Sequence, residues 1–263
     1  MSSRFDPEFY SLYRPFYPAE TFAGLEQRLC QRGFIAPFAI ADIGCGTGHS
    51  TVSLLRSGIN AFVIALDPDP EMRQRARLLL ADLPVVQIAE GRGEATDLAS
   101  DSLDAVTIGS AFHWMDVPQT RTEMLRILRP GGVLRIFEYQ FPKTDQFPLL
   151  NDWIRREFNL RWKAPHQKPR GSLKELTQGI RDDHSFEWLG EGRPAMQATL
   201  DVPQLTGLPL SQSRVLHYMD TLEAAERMEF KRSLSETLRG FIGQASAVFD
   251  FRLAWVELGR RSL

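Results

Sequence analysis

Two cysteines in 263 residues, Cys30 and Cys45, provide neither a disulfide framework nor a Cys-x-x-Cys metal pair, so no metal site is expected. No apolar run reaches the roughly eighteen residues that a membrane-spanning helix needs. The opening stretch MSSRFDPEFYSLYRPFYPAE has no apolar core of the kind a secretion signal carries. A cytoplasmic protein is the resulting expectation. An excess of one charge is also missing: 31 Lys and Arg face 33 Asp and Glu, interspersed, for a net charge of −2. A nucleic-acid footprint would show as a basic patch, and none is visible. Repeats and low-complexity stretches are absent, and 43% apolar with 24% charged residues is ordinary globular composition, which argues against disorder.

What is present is a rhythm. Short apolar runs recur at Phe38–Ile43, Ala61–Leu66, Val85–Ala89, Ala105–Gly109 and Val133–Phe137. Helical patterns lie between them at Ser50–Ser57, Glu71–Ala81 and Thr120–Leu128, and Pro130-Gly131-Gly132 stops the last before the fifth run. Strands alternating with helices of this length form βαβ units and a parallel sheet. After residue 140 the rhythm changes. Leu149–Trp162 reads as an amphipathic helix and Lys163–Gly171 as a polar loop. Ala195–Val202 and Val248–Leu258 read as strands, with helical stretches at Ser211–Tyr218 and Leu222–Gly240 between them.

The first run ends in Asp42-Ile43-Gly44-Cys45-Gly46-Thr47-Gly48. Glycines at such a turn let a ligand lie against bare backbone. A dinucleotide enzyme wants G-x-G-x-x-G, whereas this loop is G-x-G-x-G with His49 in the sixth place. The second run ends in Leu66-Asp67-Pro68-Asp69. An acidic side chain about 20 residues beyond the glycine loop accepts hydrogen bonds from ribose hydroxyls. Asp67 fits that role, and Asp69 before Pro70 fits a helix N-cap. Glu90-Gly91-Arg92-Gly93-Glu94-Ala95 follows the third run, and Gly109-Ser110-Ala111-Phe112-His113-Trp114 follows the fourth. Both stretches lie outside the carboxyl ends of the strands, where an open α/β sheet binds its ligand.

Taken together, the glycine loop, Asp67, Glu94, Asp104-Ala105-Val106, Ala111-Phe112-His113-Trp114 and Arg126-Ile127-Leu128-Arg129-Pro130-Gly131-Gly132 resemble the S-adenosylmethionine-dependent methyltransferase superfamily. The likeness is nearest to the trans-aconitate methyltransferase-like subfamily, whose amino-terminal segment Tyr13-Arg14-Pro15-Phe16-Tyr17-Pro18 also resembles. Residues 10 to 140 carry the likeness closely and the rest only loosely. The resemblance implies a Rossmann-like, seven-stranded, mostly parallel sheet with helices on both faces, an antiparallel closing strand and a cap inserted after the fifth strand. A single domain over 1–263 follows: a lid at 1–30, a cofactor-binding core at 31–140, a cap with the sixth strand at 141–240 and the closing strand at 241–263. S-adenosylmethionine is the implied cofactor. Gly44, Gly46 and Gly48 would approach its methionine moiety, with Cys45, Ser110 and Ala111 beside them. Asp67 would hold the ribose and Glu94 the adenine amine with the Ala95 amide behind it; Pro68 and Met72 would flank the ring, or serve equally as helix-start and core residues. Gly93 departs from the family, which prefers alanine there.

On the acceptor side, methyl transfer needs alignment more than acid–base chemistry. His113 is the candidate base near neutral pH, or else orients the loop after the fourth run. Trp114 is a candidate pocket wall. Tyr10, Tyr13, Arg14 and Tyr17 lie on a segment that reads either as a lid, with Arg14 clamping a carboxylate of the cofactor or of an acidic substrate, or as a buried aromatic staple with Arg14 solvated. Ser211, Ser213, His217 and Tyr218 look like a substrate-side helix start; a helix simply capped by Ser is the plainer reading. The partner expected is a small molecule, with no nucleic acid and no membrane. A nicotinamide oxidoreductase and a non-catalytic binder of S-adenosylmethionine are the rival classes.

Overall fold

The computed structural model describes residues 7–162 and 172–262. The loop expected at Lys163–Gly171 lies outside the described residues. In chain order the helices are α1 (Pro7–Tyr13), α2 (Leu25–Gln31), α3 (His49–Arg56), α4 (Pro70–Leu79), α5 (Val117–Ile127), α6 (Pro148–Arg156), α7 (Leu173–Arg181), α8 (Val202–Leu210), α9 (Ser213–Asp220) and α10 (Ala224–Ile242). The strands are β1 (Phe38–Ile43), β2 (Ala61–Leu66), β3 (Val86–Ala89), β4 (Leu103–Gly109), β5 (Leu128–Tyr139), β6 (Phe186–Gly192), β7 (Gln197–Leu200), β8 (Ala247–Asp250) and β9 (Leu253–Arg260). The chain folds into two compact units, each assembled from separate segments: 1–15, 141–169 and 196–252 in one, and 16–140, 170–195 and 253–263 in the other.

The second unit holds a seven-stranded sheet in the order β3-β2-β1-β4-β5-β9-β6. Strands β1 to β5 run parallel, and β9 lies antiparallel between β5 and β6. This is the expected Rossmann-like sheet with its antiparallel closing strand. Strand alternation sends Ala41 and Ile43 into one buried cluster with Met124 and Ile127 of α5 and Leu173 and Ile180 of α7. Phe38 and Ile40, equally buried, point to the opposite face. Two helix starts follow from local chemistry. Asp69 accepts the N–H groups of Glu71 and Met72 at the head of α4, and Asp116 accepts that of Gln119 at the head of α5. With Asp116 as its cap, α5 begins at Val117, three residues before the pattern Thr120–Leu128 suggests.

The later strands depart from the sequence reading. The sixth strand of the sheet is β6, which lies upstream of Ala195–Val202. Within that stretch, β7 pairs instead with β8 in a separate two-stranded sheet. The apolar run Val248–Leu258 is not one strand: it breaks at Phe251-Arg252 into β8 and β9, which belong to different sheets and different units. Strand β5 begins at Leu128, so Pro130-Gly131-Gly132 lies within it as a register shift against β4.

In the first unit, Arg14 donates from Nη2 to the carbonyl of Ser211 at 3.2 Å, and its guanidinium lies 4.8 Å from the centre of the Tyr10 ring. The helix read as Leu149–Trp162 is α6 followed by a wider helical turn at Glu157–Arg161. Ser211 is not a helix N-cap. It ends α8, with its hydroxyl on the Leu208 carbonyl, and α9 starts after Gln212 with no side-chain cap.

Candidate functional site

A buried carboxylate underlies the glycine loop. Asp42, at the end of β1, accepts Ser50 Oγ and Thr51 Oγ1 at 2.6 Å each on one oxygen and Thr107 Oγ1 at 3.0 Å on the other. These bonds tie α3 and β4 to the strand from which the loop departs. Burial pushes the Asp42 carboxyl pKa up, against the pull of its three hydroxyl donors. The sequence reading placed Asp42 in the motif and gave it no task. The hydroxyls at positions 50, 51 and 107 were the signal.

Above Asp42 the chain turns at Gly44, Cys45 and Gly46. The N–H groups of Gly44 and Cys45 both donate to the Leu66 carbonyl, at 2.7 and 3.0 Å. The Gly46 N–H donates to Asp67 Oδ2 at 2.9 Å, and the Asp69 N–H to Asp67 Oδ1 at 2.9 Å. Each Asp67 oxygen therefore carries one backbone donor and keeps a lone pair for a second. Burial raises the Asp67 pKa, opposed by those two amides. Gly46 sits at φ +57°, and a Cβ built there would meet nothing within 4 Å. Gly44 is different: at φ +71°, its Cβ would come within 2.5 Å of the Ala111 Cβ. Thr47, almost fully buried in the same turn, has no hydrogen-bond partner for Oγ1 among the described residues. Cys45 is buried and its thiol pKa is pushed well up by that burial, so it contributes backbone rather than a nucleophile.

The loops after β3 and β4 meet this turn. Met115 reaches between them: a Cβ on Gly44 would lie 3.6 Å from its Cε, and one on Gly93 only 2.5 Å from its Sδ. Met115 thus fills the space that a side chain at position 93 would need. Glu94 Oε1 accepts the N–H of Asp116 at 2.7 Å, joining the same two loops. Ala95 donates its N–H to the Arg92 carbonyl at 3.1 Å, so that amide already has its acceptor within the loop. Ser110 takes φ +49°, donates its N–H to the Phe137 carbonyl at 2.8 Å and accepts the Tyr17 hydroxyl at 2.9 Å. His113 and the half-exposed Trp114 follow in a short 3-10 turn, their rings 4.9 Å apart.

The structure therefore brings Gly44, Cys45, Gly46, Gly48, Asp67, Glu94, Ser110, Ala111, His113, Trp114 and Tyr17 into one unit, linked by direct contacts around the carboxyl ends of β1, β2 and β4. Pro68 is exposed beside Asp67, while Met72 is buried in the face of α4. Tyr10, Arg14, Ser213 and His217 belong to the other unit. Arg73, which the sequence reading passed over, is buried on α4 and hydrogen-bonded to the Asp67 main chain. The open face at Gly46, the Thr47 hydroxyl without a partner among the described residues and the remaining lone pairs on Asp67 fit a ligand with an amino-acid end and a ribose.

Residues 41–136 match the sequence model of a family described as a methyltransferase domain. An uncharacterised methyltransferase of Mycobacterium tuberculosis is 37% identical over 125 residues, 48% of this chain and 46% of that protein. The malonyl-acyl-carrier-protein O-methyltransferase of Dechloromonas aromatica is 36% identical over 119 residues, 43% of each chain. The chain thus spans about half the length of the curated relatives it matches. Among solved structures, a provisionally named type II methyltransferase from Anaeromyxobacter dehalogenans has the same fold. It superposes with a TM-score of 0.68 at 22% identity, over 93% of this chain and 97% of that one. No helix among the described residues is long and apolar enough to cross a membrane.

Proposed function

We propose that this chain, which carries a methyltransferase domain over residues 41–136, moves a methyl group from S-adenosylmethionine to a small acceptor. One observation carries the reading: the Gly46 N–H rests on the Asp67 carboxylate, and among the described residues nothing lies within 4 Å of where a Gly46 Cβ would stand. That arrangement suits a ligand whose amino-acid end lies on the loop and whose ribose reaches Asp67. Where a dinucleotide site would have its third glycine, this chain has His49, buried at the first position of α3.

Bound there, S-adenosylmethionine supplies a methyl carbon already activated on a sulfonium. The residues of this chain have the remaining tasks. Gly44, Gly46 and Gly48 bring backbone against the methionine end, and Asp67 accepts ribose hydroxyls. The carboxylate of Glu94 serves the adenine edge while holding Asp116. His113 and Trp114 face the acceptor, aligning it for in-line displacement. The likeness to trans-aconitate methyltransferases and the name of the Dechloromonas relative both favour an oxygen acceptor, and the former a carboxylate. A carboxylate is ionised at neutral pH and has no proton to lose, so no base is needed.

Titration calorimetry with S-adenosylhomocysteine and with NAD tests the donor. Binding of the former alone supports the proposal, and binding of NAD alone replaces it with a nicotinamide reading. A screen of small carboxylic acids, phenols and amines with radiolabelled methyl donor then identifies the acceptor. Label appearing only on amines sinks the carboxylate assignment.

A further inference from the structure

Arg73 stands where α4 should present an apolar side chain. The buried residues of that helix are Met72, Arg73 and Ala76, and Arg73 is only 8% exposed. A buried guanidinium persists only where its donors are satisfied and its charge is met. Nη1 donates to the main-chain carbonyl of Asp67 at 2.8 Å, and Nη2 donates to Glu90 Oε2 at 2.9 Å. The Glu90 side chain is 75% exposed, so the ion pair is largely screened and is a weak reason to bury a cation. The stronger consequence is geometric. One planar group joins α4, the tip of β2 and the segment leaving β3, and it does so at Asp67.

Every polar atom of Asp67 is consequently held. Its N–H meets the Ala89 carbonyl at 3.4 Å, its carbonyl meets Arg73, and its two carboxylate oxygens meet the Gly46 and Asp69 amides. The Arg73 bond is the one that a change on α4 removes without touching the loop itself. We infer that Arg73 is a positioning residue for the ribose-binding carboxylate, fixing the Asp67 main chain so that both carboxylate oxygens keep a lone pair turned to the ligand. The inference rests on the methyl-donor reading of the site.

The test is a double-mutant cycle on the full chain, read as the dissociation constant of S-adenosylhomocysteine by calorimetry, with a thermal melt of each variant. Asp67→Ala and Arg73→Met should each weaken binding about tenfold or more, the scale of losing a charge-assisted hydrogen bond. The double variant should bind no more weakly than Asp67→Ala alone, because Arg73 acts through Asp67. A merely structural role would make the two losses multiply. Arg73→Lys, a point charge unable to serve two acceptors in one plane, should fall between wild type and Arg73→Met. Wild-type affinity in folded Arg73→Met, or losses that multiply, overturns the inference. If Arg73→Met does not fold, wild-type affinity in folded Arg73→Lys overturns it instead. Failure of the wild type to bind S-adenosylhomocysteine sinks the methyl-donor reading and this inference with it. Wild-type binding with an unaffected Arg73→Met sinks this inference alone.

Discussion

The Gly46 amide and the Asp67 carboxylate stand 2.9 Å apart, so the glycine loop and the tip of the second strand form one hydrogen-bonded unit. Changing either residue therefore acts on both. Gly46→Val places a branched side chain at φ +57°, a conformation costing about 1–2 kcal/mol for an L-residue, and points it into the open face. The expected outcome is a slightly less stable protein with no calorimetric heat from S-adenosylhomocysteine. A folded Gly46→Val variant with wild-type affinity removes the loop from the donor site.

Much of this unit is legible in the sequence. β1 and β2 match the apolar runs Phe38–Ile43 and Ala61–Leu66 to the residue, because both are inner parallel strands nearly continuous in apolar residues. The acidic strand tip and the glycine spacing marked Asp67 and Gly46 in the same way. The edge was harder. Phe186–Gly192 reads FEWLGEG, with two glutamates and two glycines, which is how an exposed edge strand avoids further pairing and also how a loop looks. Val248–Leu258 hid a break because apolar content does not say which sheet a strand joins. The Met115 plug, the Glu94–Asp116 bond and the Arg73 brace were invisible for another reason: each joins residues whose proximity only the folded sheet creates.

The close fit of Met115 against Gly93 gives a second prediction. Gly93→Ala adds a methyl within 2.5 Å of the thioether sulfur, an overpacking that should cost about 1–3 kcal/mol in urea denaturation. Adding Met115→Ala removes the obstructing atoms, so Gly93→Ala should cost less in that background than in the wild type. Additive losses in the cycle would show that Met115 simply swings aside.

Glu123 supplies a pH dependence. Burial alone would push its carboxyl up, but hydrogen bonds from Arg126 and from the hydroxyl and amide of Thr96 outweigh it, and its pKa falls to about 2. A carboxyl lowered on folding stabilises the protein above its unfolded pKa of roughly 4.3 and loses that contribution as pH falls through the folded value. The contribution is on the order of 2–3 kcal/mol at neutral pH. Glu123→Gln should lower the melting temperature at pH 7 and narrow its gap to wild type by about pH 2. A gap that stays constant across that range would mean the pair does not titrate as described.

The last prediction concerns the acceptor and separates two chemistries. If the acceptor is a carboxylate, it needs a cation to hold it, and the sequence offers Arg14 for that task. Arg14 also donates to the Ser211 carbonyl at the end of α8, so its loss has a structural reading that must be distinguished. Arg14→Gln should raise the acceptor's KM more than it lowers kcat, the mark of lost uniform binding, with the melting temperature little changed. A lower melting temperature with KM intact assigns Arg14 to the helix end instead. His113→Ala should then reduce activity only modestly, and the rate should not climb through a pKa of about 6.5, because no proton leaves a carboxylate on the way to the ester. A steep loss in His113→Ala together with such a step would mean that His113 removes a proton from a phenol, hydroxyl or amine. In that case the acceptor carries a proton at neutral pH, and the carboxylate assignment is abandoned.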